Sequence, residues 1–127
     1  MSFDLVIEVD NQPGALAHVA AAVSDAGVNL AAATCLGKGD RTELHILVPH
    51  AEPVRHALAL THEASITRER EVCVVEVHDD QPGVLADLAR SVADKGINID
   101  LLYVATHNRV VFGSPDLPGL KAALGQG

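Results

Sequence analysis

The chain has 127 residues, enough for one compact domain or two very small ones that share a core. Apolar residues make up 48% and charged residues 20%, the balance of a folding globular chain rather than a disordered or fibrous one. The 17 acidic side chains outnumber the 9 basic ones for a formal charge of -8, and Phe3, Tyr103 and Phe112 are the only aromatics. This argues against nucleic acid as a partner, since that would need a basic surface and stacking platforms.

Residues 4–9 (DLVIEV) are rich in β-branched residues and predict a mostly buried strand. A turn containing Pro13-Gly14 follows. Leu16, Val19, Ala20 and Val23 then recur at helical spacing, so this helix is expected to lay one apolar stripe on a sheet. Gly27 stands where a helix ends. Residues 28–36 predict a second strand that turns at Gly37-Lys38-Gly39-Asp40 and returns as a third over 42–48. A helix near 52–61, with Pro53 in its first turn, and a short strand over 65–69 complete the unit.

The same order then repeats. Asp10, Gln12, Pro13, Gly14, Leu16, Ala17, Ala20, Val23, Asp25, Gly27 and Asn29 each fall on an identical residue 69 positions later. Residues 72–77 (VCVVEV) predict a strand, and Leu85, Leu88, Ala89 and Val92 a helix that ends at Gly96. Strands over 97–105 and 109–112 turn at Thr106-His107-Asn108, and a helix follows near 116–124. The offset falls to 65 after this hairpin, which is therefore four residues shorter than the first. The chain has no residues for a last strand in the second copy. Each copy is too short to bury a large core alone, so the halves are expected to pack together.

The expected architecture is α+β. Two tandem ferredoxin-like βαββαβ units, 1–69 and 70–127, each carry both helices on one face of an antiparallel sheet, and the second lacks its last strand. The missing strand leaves a sheet edge to be covered, so a homodimer is expected.

At Asn11-Gln12-Pro13-Gly14 and Asp80-Gln81-Pro82-Gly83 a strand feeds directly into a helix. Unpaired N–H groups there meet the positive end of the helix dipole and can hold a carboxylate or phosphate. Asn29 and Asn98 open the strands that follow, and if those strands lie beside the first ones, each amide faces the same turn. Taken singly, Pro-Gly is a common helix start and Asn after Gly commonly serves a helix end.

Together, Asn/Asp-Gln-Pro-Gly-x-Leu-Ala, a helix, and Ala/Lys-Gly-Val/Ile-Asn-Leu/Ile resemble the ACT domain, the small ligand-binding module of amino-acid metabolism. The resemblance spans nearly the whole chain as a tandem pair. It implies a free amino acid bound at the seam between units, by the turn before the first helix and the start of the second strand. The implied contacts are Asn11, Gly14, Ala15, Leu16, Asn29 and Leu30 in the first copy, with Gln12 and Pro13 in the same turn. In the second they are Asp80, Gly83, Val84, Leu85, Asn98 and Ile99, with Gln81 in the turn and His78 at a position that some serine-binding members use. Val9 and Asn11 stand where the second copy has His78 and Asp80, so the sites are not chemically equivalent. The resemblance also implies a sensor or regulator that acts on a separate metabolic enzyme.

Other readings have less in their favour. No acid, base and nucleophile converge at a recognisable spacing, and the first loop lacks the arginine a ferredoxin-like acyl-phosphate hydrolase would need. The histidines (18, 45, 50, 56, 62, 78 and 107) are scattered, His18 on the exposed side of its helix, and there is no Cys-x-x-Cys, which speaks against a metal-binding protein of this fold. A structural assembly subunit without a ligand is the remaining alternative. No cofactor is expected. Cys35 and Cys73 lie in apolar stretches and are expected to be buried free thiols of a reducing compartment. No apolar run approaches the roughly 20 residues of a membrane helix, and the first residues lack the features of a signal peptide. A cytoplasmic location with no membrane partner is therefore expected.

Overall fold

The structure is a computed structural model, and it describes residues 1–61, 64–78 and 82–125. The chain divides into two compact units, residues 1–70 and 71–127. Its elements are β1 (Ser2–Asp10), α1 (Ala15–Asp25), β2 (Ala32–Lys38), β3 (Arg41–Val48), α2 (Glu52–Ala59), β4 (Ala64–Glu76), α3 (Val84–Asp94), β5 (Leu101–Ala105), β6 (Arg109–Gly113) and α4 (Leu117–Ala123).

In the first unit the strand order is β2-β3-β1-β4. β1 and β3 pair antiparallel with Leu5 opposite Ile46 and Ile7 opposite Leu44, and β2 and β3 pair with Cys35 opposite Leu44. Alternation turns Leu5, Ile7 and Val9 to one face, where they join Leu44, Ile46 and Val48 in a core closed by Val19 and Val23 of α1 and Val54 and Leu58 of α2. Both helices therefore lie on that face, as the repeat pattern predicts. The β2–β3 turn is only Gly39-Asp40, with Gly39 at φ 70°, a left-handed conformation that hairpin turns of this length require.

In the second unit the order is β4-β6-β5, with Cys73 opposite Phe112 and Leu102 opposite Phe112 on its other side. Cys73, Val75, Val92, Val110, Phe112 and Leu120 form its core. Its hairpin is four residues shorter than the first and turns through His107 and Asn108, both left-handed. Asp116 caps α4 by accepting from the Gly119 N–H at 3.0 Å. Among the described residues no strand follows α4.

Four sequence expectations change. The strand over 65–69 and the strand over 72–77 are one continuous strand, β4, because the charged Arg70 and Glu71 between them stay extended. β2 starts at Ala32 rather than 28, and β5 likewise at Leu101 rather than 97. Leu16 and Ala20 of α1 are exposed and Ala15 and Ala22 pack against the core instead, so the buried stripe is narrower than the apolar spacing suggests. Cys73 is buried, but Cys35 is exposed, because β2 is an edge strand on which every residue after Ala32 faces solvent.

Candidate functional site

The turn into α1 is built from glycine outward. Gly14 caps the helix at φ 89°, a left-handed conformation that an L side chain resists, and no side chain caps this end. The Ala15 N–H bonds the Gln12 carbonyl at 3.2 Å and the helical ladder starts with His18 N–H to Gly14 C=O at 3.0 Å. The N–H groups of Leu16 and Ala17 have no acceptor among the described residues. Apart from Gly14 and its chain neighbours, no atom of the described residues lies within 4 Å of the place a Gly14 side chain would start.

Asp10, Gln12, Pro13, Gly14, Ala15 and His18 line a depression of about 250 Å³ at this turn. The far end of the turn is fastened to the β2–β3 hairpin. The Asn11 N–H bonds the Asp40 carbonyl at 2.9 Å, and its side-chain amide donates to the Gly39 carbonyl at 2.9 Å. That amide lies 3.2 Å from where a Cβ on Gly37 would sit, so Asn11 braces the turn against the hairpin. Arg41 is held by Glu8 at 2.8 Å and by Asp10, and these hydrogen bonds raise its pKa. Its charge is thereby committed beside the depression.

The second turn repeats the first with changes. Gly83 caps α3 at φ 94° without a side-chain cap, and the N–H groups of Leu85 and Ala86 lack acceptors among the described residues. Asp87 stands in the first turn of α3 where α1 has His18. Asp80 and Gln81, candidates from the sequence, lie outside the described residues, as does His62 among the histidines. A depression of about 290 Å³ is lined by Val77, Gly83, Val84, Leu85, Val104, Asn108, Arg109 and Val110. Of these, Val77, Val104 and the β6 residues carry no motif signal; only the hairpin register brings them under the turn.

Three candidate groups are placed differently from the sequence expectation. Val9 is the last core residue before Gly14 and Val77 the last before Gly83, so the second connection is one residue longer. That residue puts Val77, not His78, in the core position of Val9, and His78 is exposed. β3 lies between β1 and β2, so the strand after Asn29 is not beside the first. Asn29 and Leu30 follow the end of α1 while Gly14 stands at its start, and the eleven-residue helix between them is about 16 Å long. Asn98 and Ile99 stand in the same relation to Gly83 across α3.

The ends of α1 and α3 explain what these asparagines follow. Val28 N–H bonds Val23 C=O and Ile97 N–H bonds Val92 C=O, both at 3.3 Å, around left-handed Gly27 and Gly96. Among the described residues no group of three or more His, Cys, Asp and Glu could hold a metal ion. No helix there is long and apolar enough to cross a membrane.

The ACT domain family matches residues 3–64. No curated protein sequence matches the chain. Among solved structures, a protein from Bacteroides thetaiotaomicron is similar with 22% identity and a TM-score of 0.85, over 98% of this chain and 86% of that one. The regulatory subunit of aspartate kinase from Thermus thermophilus is similar with 19% identity and a TM-score of 0.70, over 98% and 90%. The corresponding subunit from Thermus flavus gives 22% and 0.61, over 98% and 90%. At these identities the likeness is one of fold. The family match thus covers most of the first unit, and the second unit repeats its turn, helix and glycine.

Proposed function

We propose that the chain is a regulatory module that binds a free amino acid and carries out no reaction of its own. The observation that carries this is the bare start of α1: a left-handed glycine, no capping side chain, and the N–H groups of Leu16 and Ala17 left over beside an open depression. A carboxylate placed there accepts both hydrogen bonds and meets the positive end of the helix dipole. Asp10 and Gln12 line the same depression and supply acceptors for the ammonium end. Asn29, at the far end of α1, serves such a ligand only from an ACT unit other than the one that grips the carboxylate.

A ligand that touches two units favours one arrangement of them, and coupling of this kind is typically worth about 1–3 kcal/mol. The similar subunits from Thermus belong to an aspartate kinase. By analogy of fold, the target of this chain is a separate enzyme of amino-acid metabolism. Isothermal titration of the chain with each free amino acid tests the reading. Saturable heat for at least one supports it, and none for any would overturn it.

A further inference from the structure

We infer that the depression of the second unit is selective for an amino acid with an aliphatic side chain, whereas that of the first unit is not. This rests on the amino-acid-binding reading above and adds the class of ligand and the unit that takes it. Five of the residues that line the second depression are aliphatic: Val77, Val84, Leu85, Val104 and Val110. The first is lined by Asp10, Gln12 and His18 together with the turn itself. The difference has a structural cause. The first hairpin is four residues longer, and Asn11 ties its turn to the entry of α1, whereas Val104 of the shorter second hairpin stays exposed.

Val104 is 67% exposed and Leu85 44%, a large apolar exposure at the mouth of a concave site. At about 290 Å³ the space stands at the lower end of small-molecule sites, which run from roughly 300 to 1,000 Å³. The N–H groups of Leu85 and Ala86, which have no acceptor among the described residues, adjoin it. Asp87, the acid in the first turn of α3, is not among the lining residues and pairs outward with Arg90 at 3.7 Å. The occupant therefore sets its carboxylate against the turn and its hydrocarbon chain against the valines.

One methylene more or less in an apolar pocket changes affinity roughly 10- to 200-fold. The test is calorimetric titration of the intact chain with valine, leucine, isoleucine, serine, aspartate and lysine, repeated on Val104→Asp, Ala86→Asp and Ala17→Asp, with circular dichroism confirming that each variant is folded. The expected result is that the aliphatic amino acids bind at least roughly tenfold more tightly than the polar ones. That preference is lost in Val104→Asp and Ala86→Asp and kept in Ala17→Asp. Aliphatic binding lost only in Ala17→Asp, or polar amino acids bound equally well at the second unit, would overturn this inference and leave amino-acid binding itself standing. No heat with any amino acid would remove both.

Discussion

Asp4 and His45 meet on the face of the first unit's sheet that looks away from its helices. The wholly buried Asp4 carboxylate lies 3.0 Å from His45 Nδ1, although the register sets His45 opposite Val6. On its other side His45 Nε2 is 3.5 Å from Glu43, which Lys38 holds at 3.0 Å. The Lys38 hydrogen bond is also the largest cause that lowers the Glu43 pKa.

This pair predicts a pH dependence of stability. The Asp4 hydrogen bond, followed by the charges of Asp4 and Glu43, raises the pKa of His45 above its ordinary 6.5 against the opposing effect of burial. A histidine of this kind stabilises the fold fully below its unfolded value, and that contribution is lost as pH rises through the folded value. Thermal melts from about pH 6 to about pH 8.5 should show a falling Tm. In His45→Ala that slope flattens and stability at about pH 6 drops by about 2 kcal/mol, the scale of a hydrogen bond to a charged group. An unchanged slope would show that another group titrates there.

Gly14 and Ala17 separate the shape of the helix start from its binding capacity. Gly14→Ala meets no steric obstacle but forces a side chain into a left-handed backbone, and should cost about 1–2 kcal/mol in urea denaturation. Ala17→Asp places a carboxylate at the positive end of α1 and should leave stability unchanged or raise it by about 0.3–1 kcal/mol. The same carboxylate occupies the free N–H groups, so the first unit should lose its amino acid in calorimetry while its Tm holds.

The two thiols should react at very different rates. Cys35 is exposed on edge strand β2, whereas Cys73 is 2% exposed and burial raises its pKa, with Lys121 partly opposing. With a thiol reagent the native protein should show one prompt reaction, absent in Cys35→Ser, and a second only under denaturing conditions. Two equally fast thiols would show that the second unit's core opens readily.

Phe112 is the largest fully buried side chain among the described residues and shares the second core with Cys73 and Leu120. Phe112→Ala should lower unfolding stability by about 3–5 kcal/mol, measured from the urea midpoint at constant slope. A loss below about 1 kcal/mol would mean that the small core collapses around the gap.

The sequence by itself determined the repeat, the order of elements and the identity of the two helix starts. These follow from local rules: alternation in DLVIEV, helical spacing after Pro13-Gly14, and glycine where a left-handed residue is needed. It also located Gly14 and Gly83, because a motif of adjacent residues is visible without a fold. Tertiary structure decided what surrounds those turns. Only the insertion of β3 between β1 and β2 separates Asn29 from Gly14, only the one-residue difference before Gly83 turns His78 outward and Val77 inward, and only the short second hairpin brings Val104 and Val110 beneath Gly83. These are contacts between residues distant in sequence, fixed by strand order and register, and no local pattern of residues encodes them.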